Sequence, residues 1–307
     1  MKNVLDLIGN TPLVELKRLV PSGRVSVWVK LEGMNPGGSV KDRAALSMIL
    51  AAEAEGQLLP GRTIIEATSG NTGIGLALVA AVKGYDCVIA MSEGVSQERR
   101  MMLQALGARV LLTPASRGTD GARETILHLL EEEPGRYYHP DQFSNPANWQ
   151  AHYRTTAPEI WRQSGGKVTH VVAALGTGGT LTGMARYFRD HHLPVACVAA
   201  EPLPGHTIQG LRNMQESELP GIYDPRLVDR HFYVDDEEAF ATSRRLARDE
   251  GILAGMSSGA ALAAALRLAR QLERSFIVVI LPDRGERYFS TSLFGTPRTE
   301  PRHSYGT

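Results

Sequence analysis

The chain has 307 residues, enough for about two domains at roughly 150 residues each. Hydrophobic residues make up 43% and charged residues 21%, the mix of an ordinary folded protein, which excludes disordered and fibrous classes. The 33 basic and 33 acidic residues cancel, so the electrostatic footprint of a nucleic-acid binder is missing.

At the N-terminus a short apolar run is interrupted by Asp6 and Gly9, unlike a signal peptide. Strands are predicted over 25–31, 63–67, 86–91 and 109–113, alternating with helices over 42–55, 72–83, 96–106 and 118–132. A stretch rich in Pro, Gly and charge, 131–146, marks a lobe boundary after these four units. Beyond it, helices are predicted over 148–163, 180–189, 237–250 and 258–272, and strands over 169–175, 195–200 and 276–281. Short apolar strands alternating with helices are the form of βαβ units around a buried parallel sheet, so the fold class is α/β. The tail, 297–307, lacks apolar periodicity and is expected to be loosely ordered. No segment approaches the roughly 18 apolar residues of a membrane span. Cys87 and Cys197 each sit in an apolar run and read as buried small hydrophobes, which fits a reducing cytoplasm.

Two glycine-rich turns lie where a predicted strand gives way to a helix. Thr68-Ser69-Gly70-Asn71-Thr72-Gly73 follows 63–67, and Gly176-Thr177-Gly178-Gly179-Thr180 follows 169–175. A helix start with small residues exposes unpaired N–H groups and a positive dipole end, so each turn suits an anion; each is also explained as a tight turn that needs glycine. Neither completes the dinucleotide fingerprint, because Leu181 stands where the third glycine belongs, and the only Gly-Lys pair, Gly166-Lys167, precedes Val168, which excludes a P-loop. Gly255-Met256-Ser257-Ser258-Gly259 matches the nucleophile elbow of serine hydrolases, with Asp283 and His303 following in hydrolase order. Only one predicted strand follows it, fewer than such an elbow normally precedes. Six lysines stand against 27 arginines, and Lys41 alone sits in a turn-rich stretch, Asn35-Pro36-Gly37-Gly38-Ser39-Val40-Lys41, directly before an apolar helix. That position suits either a solvated lysine or a reactive amine. The nine histidines show no zinc spacing, and Asp235-Asp236-Glu237-Glu238 reads as a helix start that favours negative charge.

Taken in order, Ile8-Gly9-Asn10-Thr11-Pro12-Leu13, the Lys41 stretch, 68–73, 176–180 and 255–259 resemble the cysteine synthase family of fold-type II enzymes that use pyridoxal 5′-phosphate. The resemblance runs from about residue 8 to Phe294, and 96–100, 158–161 and 283–288 are similar to the family's B branch. It implies a tryptophan synthase β-like fold, with a large lobe from 1–40 plus 147–307, a smaller mobile lobe from 41–146, the cofactor between them, and a homodimer. It further implies that Lys41 forms the internal aldimine and that Asn71 bonds the cofactor's ring hydroxyl. Gly176, Thr177, Gly178, Gly179 and Thr180 would cup the phosphate, and Ser257 would face the pyridine nitrogen, which recasts it from nucleophile to hydrogen-bond partner. Thr68, Ser69, Thr72 and Gln142 would hold the substrate carboxylate. Arg212 either meets a larger or anionic partner at the mouth of the site or is a surface arginine. The implied reaction is β-replacement: Lys41 removes the Cα proton, acetate leaves O-acetylserine to give an aminoacrylate, and sulfide or thiosulfate adds to yield L-cysteine. Enzymes using O-phosphoserine, cystathionine β-synthases and serine/threonine dehydratases share the lysine and the cup, and are the alternatives.

Overall fold

The computed structural model describes residues 3–20, 23–95, 97–216 and 218–295; Ser96 and the tail 297–307, with His303, lie outside the described residues. Strand β1 (Leu13–Glu15) leads into β2 (Val25–Leu31) and then helix α1 (Lys41–Ala54). There follow β3 (Thr63–Ala67), α2 (Asn71–Lys83), β4 (Cys87–Ser92), α3 (Gln97–Ala105), β5 (Arg109–Thr113), α4 (Gly118–Glu132) and β6 (Tyr137–Tyr138). The chain continues through α5 (Pro146–Ala151), α6 (Ala157–Gln163), β7 (His170–Ala174), α7 (Gly179–Asp190), β8 (Ala196–Pro202), β9 (Arg230–Val234), α8 (Asp236–Glu250), α9 (Met256–Ala269) and β10 (Ser275–Leu281).

These elements form two sheets, which bears out the α/β class. The larger has the order β1-β2-β10-β7-β8-β9, parallel apart from the β1–β2 pair, and the smaller, β5-β4-β3-β6, is wholly parallel. The strands do not sort by position along the chain. β2, from the first predicted series, pairs with β10 from the far end, Val27 lying opposite Ile277 and Val29 opposite Val279. Helices cover both faces of each sheet, as strands buried on both sides require. In the larger sheet Val27, Val172 and Val279 pack against α8 and α9, and Val171 and Val278 pack against Met184 and Phe188 of α7. In the smaller, Ile64 and Ile89 meet Met48 of α1 and Ile74 of α2, while Ile65 and Val88 meet Ile126 of α4. Gly84 and Gly251 stop α2 and α8 in the left-handed conformation that glycine adopts without penalty. Asp235 caps α8 by accepting the Glu238 N–H at 2.7 Å, as its acidic start led one to expect. Both cysteines are buried and unpaired, with thiols pushed up to about 12 by burial, and so behave as small hydrophobes.

The structure departs from the sequence expectation in two ways. Three strands were not foreseen: β1 and β6 are very short, and β9 is an edge strand whose inward Phe232 and Val234 alternate with exposed residues instead of forming an apolar run. The helix expected over 148–163 starts earlier, capped by Asn145, and a single π turn over His152–Thr156 divides it into α5 and α6. Within that turn the His152 ring bonds Thr156 Oγ1 at 2.9 Å. α7 presses on the same segment so closely that a Cβ on Gly183 would stand 2.2 Å from the Trp149 carbonyl.

A buried charge network ties the start of the chain to α1 and α6. Arg43 meets Glu32 through Nε at 2.7 Å and Glu159 through Nη1 at 2.7 Å. Lys30 reaches the same Glu159 at 2.7 Å, together with the Thr11 carbonyl at 2.7 Å. Two cations and two anions balance, and the Asn10 N–H and Thr11 hydroxyl occupy further lone pairs of Glu159 and Glu32. Burial opposes ionisation of Glu159, yet Arg43 and Lys30 hold its carboxyl down to about 2. Deleting one cation leaves buried negative charge uncompensated. Arg43→Met is therefore expected to lose about 3–5 kcal/mol of stability in urea unfolding; a loss below about 1 kcal/mol would contradict the balance described.

Candidate active site

The carboxyl ends of β3, β7 and β10 open onto one cleft of about 440 Å³, the position at which α/β sheets bind ligands. Its lining includes all the residues that the family resemblance assigned to the site except Gly178 and Gly179.

Lys41 is the first residue of α1, and Val40 before it is held to the end of β10 by donating its N–H to the Pro282 carbonyl at 2.8 Å. Burial draws its amine down to about 8, opposed by the charge of Asp283. A helix start also disfavours positive charge. Among the described residues its Nζ makes no hydrogen bond, so the amine of this half-buried lysine is left free in the cleft. This sets aside the reading of Lys41 as a solvated lysine.

Around it stand the starts of three helices. α2 begins at Asn71 after Gly70, with no side chain capping its N–H groups. Gly75 lets α2 lie against α1, since a Cβ there would be 3.1 Å from the Lys41 carbonyl oxygen. Thr72 Oγ1 donates to Gln142 Oε1 at 2.6 Å, and Thr68 Oγ1 accepts the Gly70 N–H at 3.2 Å, so Thr68, Ser69, Thr72 and Gln142 form one rim. α7 begins at Gly179 after the N-cap Gly178, which again has no side chain to cap it. The three glycines before and at its start are required by close approach: a Cβ on Gly176 would be 2.5 Å from the Gly210 carbonyl, on Gly178 2.6 Å from Tyr223, and on Gly179 2.3 Å from Asn148. Thr177 Oγ1 accepts the Gly179 N–H at 3.3 Å, and Thr180 Oγ1 meets His152 Nε2 at 3.2 Å. Asn148 joins the two turns, donating to the Gln142 carbonyl at 2.7 Å and to Thr177 Oγ1 at 3.3 Å. Two anion-accepting helix starts thus share a cleft with one free amine.

Ser257 sits in the first turn of α9 and lines the same cleft. The glycines flanking it serve packing: a Cβ on Gly255 would be 2.2 Å from Asp283 Oδ1, and on Gly259 2.0 Å from the Ala239 carbonyl. Among the described residues no histidine lines the cleft, and the Asp283 carboxylate accepts from Asn71 Nδ2 at 2.7 Å and the Tyr288 hydroxyl at 2.6 Å. These partners remove Asp283 from a hydrolase triad. Asn71 Oδ1 in turn accepts from Arg287. Burial raises the Asp283 carboxyl, and its Oδ1 has no partner among the described residues. Arg212 lines the cleft with its guanidinium stacked 4.1 Å over the Phe143 ring, half-buried and not a plain surface arginine.

Sequence reasoning missed Arg99, Asn148, His152 and Tyr288, and gave Asp283 a different role. Arg99 left a signal: it falls four residues before buried Leu103, on the inward face of α3, where a charge needs a partner. The others are spread over elements that only the fold brings together.

His152 is wholly buried beneath the Thr180 hydroxyl, and burial draws its imidazole down to about 3, with Arg43 and Lys41 adding to the effect and Glu32 and Glu159 opposing it. Its folded value lies below the unfolded one of about 6.5, so its contribution to stability is full above that and is lost as pH falls towards 3. The NMR signal of the His152 ring is expected to show no titration between pH 8 and pH 5; an inflection near 6.5 would contradict its burial as a neutral base.

The chain matches the family model described as pyridoxal-phosphate dependent enzyme over residues 4–283. It is 49% identical to cysteine synthase B of Salmonella typhimurium over 295 residues, covering 96% of this chain and 97% of that one. Among solved structures, a cysteine synthase from Entamoeba histolytica superposes with a TM-score of 0.91 at 40% identity, covering 96% of this chain and 90% of that one. An O-ureido-L-serine synthase also superposes with a TM-score of 0.91, at 43% identity and with 98% and 97% covered.

Proposed function

The chain belongs to the pyridoxal-phosphate dependent enzyme family, and from that premise we propose that it makes L-cysteine from O-acetyl-L-serine and sulfide. The observation that carries this reading is the convergence of a free, half-buried amine with two glycine-capped helix starts in one cleft. The residues present fit the cofactor. Gly176, Gly178 and Gly179 have no space for side chains, which leaves the turn's backbone open to a phosphate, and among the described residues Lys41 is the only lysine lining the cleft. Gly176, Thr177, Gly178, Gly179 and Thr180 would hold the phosphate, Lys41 and Asn71 the ring substituents, and Ser257 the ring nitrogen. When bound, the cofactor supplies the electron sink for a carbanion at Cα.

The protein's own groups do the rest. Thr68, Ser69 and Thr72, at the start of α2, and Gln142 beside Thr72 bind the amino-acid carboxylate. Lys41 takes the Cα proton as a free base, which its lowered pKa makes available near neutral pH, and later returns it. Acetate leaves Cβ and sulfide takes its place. Ser257 offers the ring nitrogen a neutral hydroxyl in place of a carboxylate, which favours elimination over transamination. The described residues within 1–40 plus 147–307, with the larger sheet, form one lobe, and those within 41–146, with the smaller sheet, form a lobe that closes on the substrate and excludes water. The unpaired buried cysteines support a cytoplasmic setting, and the family resemblance supports a homodimer.

A second reading concerns the leaving group and sulfur donor. The Arg212 guanidinium over Phe143 is a cation on the cleft wall, suited to a substrate phosphate or to thiosulfate. Cysteine formation from O-acetylserine and sulfide is expected to fall at least ~1,000-fold in Lys41→Ala, the loss of a general base and cofactor anchor together. Cystathionine from serine plus homocysteine, or a keto acid from serine, as the main product would replace this reading. Arg212→Ala is expected to depress activity with O-phosphoserine or thiosulfate more than with O-acetylserine and sulfide; equal effects would remove the anionic role.

A further inference from the structure

Arg99 is a buried guanidinium that the chemistry above does not use. It extends from α3 and is committed at both ends: Nη1 donates to the Ser69 carbonyl at 2.8 Å, and Nη2 to Gln209 Oε1 at 2.5 Å. Its Cζ also lies 5.8 Å from the centre of the Tyr288 ring, whose hydroxyl holds Asp283. Ser69 belongs to the rim at the start of α2. Gln209 precedes Gly210, whose carbonyl fills the space beside Gly176, and Arg212, whose N–H donates to the Leu175 carbonyl at 2.9 Å. One side chain therefore spans the cleft from the smaller sheet's anion turn to the segment that buttresses the larger sheet's. Ser290, whose hydroxyl donates to Glu98 at 3.3 Å, makes a second contact between α3 and the far wall.

We propose that Arg99 is a positioning residue for the substrate carboxylate: it straps the 68–72 turn to Gln209 and so sets the turn's N–H groups at the distance the bound amino acid needs. With the Ser69 carbonyl drawn to Arg99 and the Gly70 N–H directed to Thr68 Oγ1, the Ser69–Gly70 peptide plane is fixed, and the N–H groups at the start of α2 stay free for a ligand. Two of the five Arg99 donors are committed to these acceptors, and the role assigned to the side chain is to hold the turn in place. The planar fork of arginine meets two acceptors in fixed geometry, which a lysine ammonium on a flexible stem does not reproduce. The proposal rests on the reading of 68–72 as the carboxylate site.

The test uses the cofactor-loaded enzyme and four variants, Arg99→Gln, Arg99→Lys, Gln209→Leu and Thr72→Val. Steady-state KM is measured for O-acetylserine and for sulfide, calorimetric Kd for L-serine, and cofactor content by visible absorption. In Arg99→Gln, KM for O-acetylserine and Kd for L-serine are expected to rise about tenfold or more, as for loss of a charged hydrogen bond. KM for sulfide, which has no carboxylate, and cofactor content are expected to stay unchanged. Gln209→Leu shifts the same two constants by a smaller factor, and Arg99→Lys restores part of the loss. If Thr72→Val raises these constants while Arg99→Gln and Gln209→Leu do not, the strap is wrong and the carboxylate site stands. If Thr72→Val leaves them unchanged as well, both fall. A rise in sulfide KM together with loss of cofactor in Arg99→Gln and Gln209→Leu would reduce Arg99 to a general structural role and overturn the proposal.

Discussion

A primary amine enclosed by protein without a hydrogen-bonded anion is costly to keep charged, and the arrangement around the half-buried Lys41 follows from that constraint. It stands at a helix start, where the dipole adds to the penalty of burial, and only the charge of Asp283 opposes them. The same geometry that disfavours the ammonium favours anions. The starts of α2 and α7 stand at the cleft behind glycine N-caps that have no side chain to cap them, and at α7 the Gly179 N–H alone is taken, by Thr177 Oγ1. An amine that prefers to be neutral beside two places that prefer negative charge is a site that selects its occupants by electrostatics before any shape is considered.

Holding Lys41 there requires a rigid floor. Arg43, two residues further along α1, enters a balanced set of buried charges with Glu32, Glu159 and Lys30. Such a network offers little net stability over an apolar core, but it tolerates no loss of a member, so the chain start, β2, α1 and α6 are held in one register. Asn148 and His152 do the same for the anion turns from the α5 side, by neutral hydrogen bonds. The π turn that carries His152 is the local distortion by which the ring reaches both Thr156 and Thr180.

The sequence made the fold class legible because its strands are continuous apolar runs bounded by turn residues, and β2, β3 and β5 were located to the residue. Edge strand β9 was illegible because alternating burial hides it among polar residues, and the sorting of β2 into the far sheet has no local signature at all. At the site, the glycine turns and Lys41 announced themselves, since helix-start chemistry needs contiguous residues. The Asn71–Asp283–Tyr288 cluster and the reach of Arg99 to Gln209 are built across more than a hundred residues of chain, and no spacing rule reaches that far. The G-x-S-x-G match shows the converse. A local pattern can be exact and still arise from packing, here of Gly255 on Asp283 and Gly259 on Ala239.

The account stands on Lys41 being the residue that holds the cofactor. Borohydride reduction of the loaded enzyme followed by peptide mass mapping tests it directly. The account predicts the reduced phosphopyridoxyl mass on the peptide containing Lys41 and no retained mass in Lys41→Ala. The same mass on another lysine, or its retention in that variant, would contradict it.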